Sequence, residues 1–273
     1  MSTTKQREPD DAHLVLEIGT FNVRCDFPGD GEQKWEHRCA RFLDMLHSWH
    51  PDVLGLQEPL KHQRDQISQS LPEYASVGVG RDDGRDAGEF CPIFYRKERF
   101  DLIKSGTFWF SGTPTVPGTC DWGSRHRRIC TWAELRERSS GRSFTIYNLH
   151  IDHESQLARE KSVELLLTRI GERGNHDPVI VTGDFNAEPD NPALALFLDS
   201  PVPTSALLSV STTEAGTFHG FTGQVAGGPI DHIFVSPEWR VVDAKVLPGD
   251  GLRPYPSDHL PVSATLSLRC KPS

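Results

Sequence analysis

The most informative segment of the chain is "VIVTGDFNAEPDN", residues 179–191, where an apolar run ends abruptly in polar side chains. Its β-branched residues predict a buried strand that ends near Asp184. Side chains two positions apart on a strand point to the same face, so Asp184 and Asn186 are expected to converge while Phe185 turns away. The alternative is a strand followed by an Asx-type turn, in which polar side chains satisfy loose backbone groups.

The composition is that of a soluble globular protein, with 36% hydrophobic and 25% charged residues among 273. This length allows one large domain, and no linker or change of composition divides the chain. The polar residues 1–13 predict a flexible tail without the apolar core of a secretion signal, and residues 14–273 a single domain. No apolar run reaches the roughly 20 residues that span a bilayer. We therefore expect a cytoplasmic protein.

The formal net charge is −9 at pH 7. Proteins that hold long duplexes by neutralising phosphates present basic surfaces, so this balance argues against avid non-specific duplex binding. It leaves room for a local basic cleft, or for a metal that handles phosphate. The six cysteines follow no CxxC spacing, which favours reduced thiols over disulfides or a zinc site.

The hydrophobic periodicity predicts strands and helices in alternation. Helices are expected from Trp35 to the residues before Pro51, near 61–71, and around 163–170. Strands are expected at 14–24, 52–58, 74–79, 91–97, 100–110, in a hairpin over 128–150, before Asp184, and at 229–236, 240–248 and 259–268. Polar side chains suited to metal binding or proton transfer lie at or just beyond these strand ends: Asn22, Glu58, His150, Asp184 with Asn186, Asp231, and Asp258 with His259. Each alone can be a cap or turn former, but together they predict one cleft.

Six short segments carry a family likeness: "GTFNVR", "LGLQE", "NLHIDH", "VTGDFNAEP", "GPIDHIFVS" and "SDHLPVSATL". In this order they resemble the endonuclease/exonuclease/phosphatase (DNase I-like) superfamily, and "NLHIDHESQLARE" and "GGPIDHIFVS" are nearer to its bacterial and deadenylase-like branches. The resemblance extends from about Leu14 to Leu268. It implies an α/β fold, a four-layer sandwich of two packed mixed sheets flanked by helices, with loops gathered around a divalent metal.

The resemblance also implies a metal site. Glu58 matches the family's principal metal ligand, Asn22 the amide beside it, and Asp258 a further acid of the site. Carboxylate oxygens suit a hard cation, so Mg²⁺ is expected, with Mn²⁺ able to substitute.

The same comparison implies catalytic roles. Asp184 and Asn186 match the pair that positions the attacking water and contacts the phosphate, and His150 matches a histidine that contacts the phosphate. His259 matches the catalytic histidine and Asp231 the carboxylate that orients it, which would fix the tautomer of His259 and favour its cationic form.

Substrate contacts are expected from Arg128, Asp152 and His153. Arg128 lies in the Pro/Gly-rich segment 108–132, where arginines and Trp122 could grip phosphate and stack on a base or sugar; otherwise the tryptophans pack in the core and the arginines solubilise the loop. Asp152 and His153 either touch substrate or cap a helix that starts near Glu154. His219 and His232 are expected to have structural roles.

The predicted function is a divalent-metal phosphodiesterase or nuclease that hydrolyses P–O bonds by in-line attack of water. Two alternatives stay open: a phosphomonoesterase of a sugar, inositol or nucleotide phosphate on the same fold, and a catalytically inactive binding module. The expected partner is a phosphate ester, either a short or single-stranded nucleic acid, a nucleotide or another small phosphodiester, bound by a monomer with no membrane span.

Overall fold

The computed structural model describes residues 14–198, 200, 216–225, 227–248 and 253–268. The tail predicted over residues 1–13 lies outside them. The strands are β1 (Leu14–Asn22), β2 (Val53–Gln57), β3 (Tyr74–Val77), β4 (Ile93–Arg96), β5 (Phe100–Trp109), β6 (Ile129–Glu137), β7 (Ser143–His150), β8 (Val179–Asp184), β9 (Asp231–Val235), β10 (Trp239–Val246) and β11 (Val262–Leu268). The helices are α1 (Trp35–Trp49), α2 (Lys61–Ser70), α3 (Gln156–Glu172) and α4 (Pro192–Leu198), with a short 3-10 helix at Pro28–Gln33.

The strands form two sheets, and each sheet is mixed. One has six strands in the order β10-β11-β1-β2-β4-β3, and the other has five in the order β5-β6-β7-β8-β9. One strand pair is parallel in each, β1 with β2 and β7 with β8, and the other pairs are antiparallel. The predicted fold class, two packed mixed sheets flanked by helices, is confirmed.

Alternation of side chains along the strands builds three apolar layers. Between the sheets, residues such as Ile18, Ile146 and Ile180 form a fully buried core. On the outer face of the five-stranded sheet, Phe185 packs with residues of α3 and α4. On the outer face of the six-stranded sheet, Phe21 and Phe42 stack with ring centroids 4.9 Å apart beneath α1. The four layers are therefore helix, sheet, sheet and helix.

Strand direction explains why distant polar residues meet at one edge. Asn22 and His150 end β1 and β7, and Glu58 follows β2 directly. Asp231 opens β9 instead, and because β9 runs antiparallel to β8, it pairs with Asp184. Asp258 and His259 similarly precede β11, which is antiparallel to β1. Strand ends and strand beginnings therefore converge on the same side of the molecule.

Several local predictions can be compared directly. The predicted strands and helices all form, with ends shifted by a few residues, while α4 and the 3-10 helix were not predicted. The five described cysteines form no disulfide, as expected, and Cys270 lies outside the described residues. None of the helices in the described ranges combines the length and apolar character needed to cross a membrane.

Candidate active site

A cleft with a volume of about 440 Å³ opens at the edge where these strand ends meet. The cleft is lined by most of the predicted site residues: Glu58, Arg128, His150, His153, Asp184, Asn186, Asp258 and His259. The other three predicted residues, Asn22, Asp152 and Asp231, are buried behind this surface. The single cleft expected from the sequence is therefore present.

The histidine side of the cleft is built on the pairing of β8 with β9. The Nδ1 atom of His259 lies 2.8 Å from Oδ2 of Asp231, and its Nε2 atom lies 3.8 Å from Oδ2 of Asp184. Burial opposes the charged ring, but the carboxylates of Asp231, Asp184 and Asp258 raise the pKa of His259 well above its ordinary value. These contacts favour the cationic form of His259 and leave its Nε2 atom on the side of the cleft.

Asp184 and Asn186 form an Asx turn and also present their side chains to the same cleft, so both possibilities considered from the sequence apply. The strand ends at Asp184, and Asn186 has a left-handed backbone (φ 46°) rather than an extended one. The backbone N–H of Asn186 donates to Oδ1 of Asp184 at 2.9 Å, which is an Asx turn. Both side chains still line the cleft, while Phe185 points into the outer core. The side-chain Nδ2 atom of Asn186 also donates to the backbone carbonyl of Ile151 at 3.1 Å.

Asn22 lies beside Glu58, as predicted, and also contacts Asp184. Its Nδ2 atom donates to Oε1 of Glu58 at 3.0 Å and to Oδ2 of Asp184 at 2.9 Å. Its Oδ1 atom accepts the backbone N–H of Arg24 at 2.8 Å, which fixes the orientation of the amide. The Asn22 amide therefore donates to both carboxylates and holds them together, and its role as a metal ligand stays a prediction.

The carboxylates of the cleft are the groups that fit a divalent cation. Glu58, His150 and Asp184 bring possible ligand atoms within 4.8 Å of one another. Burial raises the pKa of Asp258, and burial with the nearby Asp231 charge raises that of Asp184 to about 7. For Glu58, N–H donors from Asn22 and Cys25 outweigh burial and lower the pKa. A hard cation would balance this excess of negative charge, and carboxylate oxygens are its preferred ligands.

Arg128 joins His150 and His153, and Nε2 of His150 also lies 3.5 Å from Oδ2 of Asp184. Its Nη1 atom donates to Nε2 of His150 at 2.9 Å, and its Nη2 atom donates to Nδ1 of His153 at 2.8 Å. Because arginine cannot accept, the neutral histidines must carry their protons on Nδ1 of His150 and Nε2 of His153. Burial, with Arg128 and Arg81 nearby, lowers the pKa of His150 well below its ordinary value. Both protonated nitrogens are then hydrogen-bond donors.

Asp152 holds the turn that precedes α3 and does not cap the helix directly. Its Oδ1 atom accepts the backbone N–H groups of Glu154 and Ser155, at 2.9 and 2.6 Å, and its Oδ2 atom accepts the hydroxyl of Ser124 at 2.6 Å. With its side chain almost fully buried, it orders the entry to α3 and makes no surface available to substrate. The helix itself begins at Gln156, with Ser155 as its N-cap.

The segment between β5 and β6 divides into core and surface residues. Trp109 is buried, and Trp132 packs against the outer core. Both fit the alternative in which the tryptophans of this segment pack in the core. Arg125 is highly exposed and Arg127 pairs with Asp82, so of the three arginines only Arg128 reaches the cleft.

Sequence reasoning missed two groups of residues. Arg24, Arg81, Glu89 and Phe218 also line the cleft, although no pattern singled them out; His126, of the basic segment 108–132 expected to bind substrate, lines it too. A buried polar network lies beneath it, in which Gln57 donates to Oδ1 of Asn148 at 2.7 Å and Thr182 donates to the same atom at 3.2 Å.

The network links the two sheets directly below the site. Gln57 precedes Glu58 by one position. Asn148 precedes His150 by two positions and Thr182 precedes Asp184 by two, so each pair faces the same side of its strand. This spacing could have identified Asn148 and Thr182 from the sequence.

Two of the remaining histidines have packing roles, as expected. His232 donates from Nε2 to the carbonyl of Ala187 at 2.8 Å and packs on Phe185, away from the cleft. His219 lies against the ring of Tyr255, with ring centroids 4.9 Å apart.

The chain matches the model of the endonuclease/exonuclease/phosphatase family over residues 19–259. It therefore belongs to this family, and it is a phosphoric ester hydrolase. The two packed mixed sheets and the cleft at their edge agree with this assignment.

Solved structures support the same conclusion. An endonuclease/exonuclease/phosphatase protein from Bacteroides vulgatus is 33% identical, with a TM-score of 0.88 and coverage of 94% of this chain and 100% of that chain. A mannosyl-6-phosphatase from Bacteroides thetaiotaomicron is 34% identical, with a TM-score of 0.85 and coverage of 92% and 99%.

Among curated proteins, the uncharacterized protein L388 of Acanthamoeba polyphaga mimivirus is 31% identical over 165 residues, which are 57% of this chain and 60% of that protein. The chain thus matches less than two thirds of this relative's length.

Proposed function

We propose that this hydrolase is a divalent-metal-dependent phosphomonoesterase that acts on a small phosphorylated molecule of the sugar-phosphate class. The observation that carries the proposal is the charge of Arg128. Its two hydrogen-bond partners in the cleft are neutral imidazoles, and its Nε atom has no hydrogen-bond partner among the described residues. The Asp152 carboxylate lies 4.0 Å from Nε and already accepts three other hydrogen bonds.

Arg128 is a buried cation whose nearest carboxylate, that of Asp152, is shared with three other donors, and such a cation favours a ligand with additional negative charge. A phosphomonoester carries between one and a half and two negative charges near neutral pH, by analogy with phosphorylated side chains, whereas a diester carries about one. The side chain of Arg128 is 5% exposed and lines a cleft of about 440 Å³, a size suited to a small molecule. The likeness to a mannosyl-6-phosphatase supports the same substrate class.

The proposed chemistry uses the two sides of the cleft differently. Glu58 and Asp258 would hold Mg²⁺ or Mn²⁺, which supplies Lewis-acid polarisation of the phosphoryl group when bound. Asp184 would orient the water and take its proton as the water oxygen bonds to phosphorus. The bond to the leaving group breaks, and the released alkoxide takes up a proton from solvent water. His259 donates from Nε2 to the charge that develops on the phosphoryl oxygens.

A phosphodiesterase acting on nucleic-acid ends is the second candidate. Phe218 is 42% exposed at the cleft, with its ring centroid 5.0 Å from that of His259. An exposed aromatic ring beside the reacting centre could stack on a base.

The test compares kcat/KM for p-nitrophenyl phosphate and mannose 6-phosphate with that for bis-p-nitrophenyl phosphate and a single-stranded oligonucleotide, all with saturating Mg²⁺. We expect the monoesters to be preferred by at least about tenfold, which corresponds to roughly 1.4 kcal/mol. Faster turnover of the diester or the oligonucleotide would favour the second candidate. Arg128→Met should reduce kcat/KM for the monoester more than for the diester, because only the monoester has the additional charge.

A further inference from the structure

Arg38 of α1 is a fully buried arginine that lies behind the metal side of the cleft. Its side chain makes its hydrogen bonds with backbone carbonyls rather than carboxylates: Nε donates to Gln33 at 2.9 Å, and Nη1 donates to Val23 at 2.6 Å and Pro256 at 2.8 Å. Nη2 donates to the carbonyl of Arg24. The guanidinium thus binds three separate chain segments at once.

Two of these segments carry predicted site residues. Val23 and Arg24 directly follow Asn22, which bridges the carboxylates of Glu58 and Asp184. Pro256 lies two positions before Asp258, and it is 218 positions from Arg38 along the chain. A second link joins the same segments, because the hydroxyl of Ser257 donates to the carbonyl of Asn22 at 2.7 Å.

The geometry requires an arginine. The planar guanidinium presents donors in fixed directions, whereas a lysine ammonium has three donors and no fork. Arg38 is also sandwiched by aromatic rings, with its Cζ atom 5.0 Å from the ring centroid of Trp35 and 5.8 Å from that of Phe221. Burial lowers the pKa of Arg38 to about 10, so it stays charged at neutral pH.

We infer that Arg38 is a positioning residue for the metal site, because its guanidinium fixes the segment after Asn22 and the segment before Asp258 relative to each other. The inference rests on the proposed metal dependence and adds the residue that holds the segment of Asp258 against the segment of Asn22, whose amide contacts Glu58. Residues behind metal ligands typically change metal affinity by about 10- to 100-fold when they are altered.

The experiment measures Mn²⁺ binding to the purified full-length protein by calorimetry, together with thermal unfolding and the Mn²⁺ dependence of turnover. Arg38→Met should weaken Mn²⁺ binding by about tenfold or more, and excess Mn²⁺ should restore part of kcat. Arg38→Lys should show a smaller shift, and Ser257→Ala, which keeps Arg38, should also weaken binding.

Arg173→Met is the matched control. Arg173 also donates to backbone carbonyls, those of Asn175 and Asp177, but it does so just beyond the end of α3. We expect it to change thermal stability without changing Mn²⁺ affinity.

Wild-type Mn²⁺ affinity in Arg38→Lys and Ser257→Ala would overturn the positioning role, even if Arg38→Met failed to fold. Absence of Mn²⁺ binding and of metal dependence in the wild-type protein would instead overturn the metal-dependent function and this inference with it. A preference for diesters would change only the proposed substrate.

Discussion

The cleft holds two buried histidines whose surroundings are opposite. His259 faces three carboxylates, which raise its pKa well above the ordinary value and favour its charged form. His150 accepts a hydrogen bond from Arg128, and burial with that nearby charge lowers its pKa well below the ordinary value. The residue type is the same and both rings are buried, so the neighbours decide the protonation state.

From this difference we propose that the two histidines have different roles in the reaction. The His259 side combines a cation with carboxylates that can handle water and metal. The His150 side combines a permanent guanidinium charge with neutral donors that can bind phosphate without taking protons. Four predictions test this proposal, ordered by the size of the expected effect.

The largest effect should follow metal removal, because carboxylates on the His259 side repel one another without a cation. EDTA should abolish turnover and added Mg²⁺ or Mn²⁺ should restore it. Glu58→Gln should weaken metal dependence and turnover together, with partial recovery in excess Mg²⁺. Metal content and initial rates are the measurements. Undiminished turnover in a preparation verified as metal-free would disprove the mechanism.

Asp184→Asn and His259→Ala should each reduce kcat by roughly 10²-fold or more, since each removes a group acting in the transition state. Circular dichroism and thermal unfolding should remain close to those of the wild-type protein under the same conditions. A variant that folds and keeps near-normal kcat would show that its residue has no catalytic role.

Asp231→Asn should reduce kcat in the same direction through His259. Without the carboxylate 2.8 Å from Nδ1, the pKa of His259 should fall. The cationic form then persists over a narrower range, so the decline of kcat on the alkaline side should move to lower pH. The measurement is a pH–rate profile of both proteins at saturating substrate and metal. If the alkaline decline of kcat stayed at the same pH, Asp231 would not control the charge of His259.

The smallest effect should come from the His150 side. Arg128→Ala should raise KM for a phosphate substrate by about tenfold, because it removes one charged donor worth roughly 1.5–3 kcal/mol at most. Lys61→Ala is the control, since Lys61 lies on the exposed start of α2 and pairs with Asp65. If KM changed negligibly in both variants, Arg128 would have no role in substrate recognition.

The sequence by itself determined the strands, the helices and the polar character of one edge of the sheets. Periodicity of apolar residues is a local property, so β1, β8 and the β6–β7 hairpin could be predicted from neighbouring residues alone. The residue type also shows whether a side chain can bind a metal or transfer a proton. Glu58, Asp184 and His259 could therefore be named as candidates before their contacts were known.

Only the tertiary structure decided what each polar side chain does. The residue type marks Asn22 as a candidate, and its position relative to Asp184, 162 residues away in the chain, makes it a donor between carboxylates. Asp152 and Arg38 were likewise defined by their partners, a helix entry and three separate carbonyl-bearing segments. Hydrogen-bond direction and pKa depend on contacts between chain segments that are distant in sequence, and local patterns carry no record of those contacts.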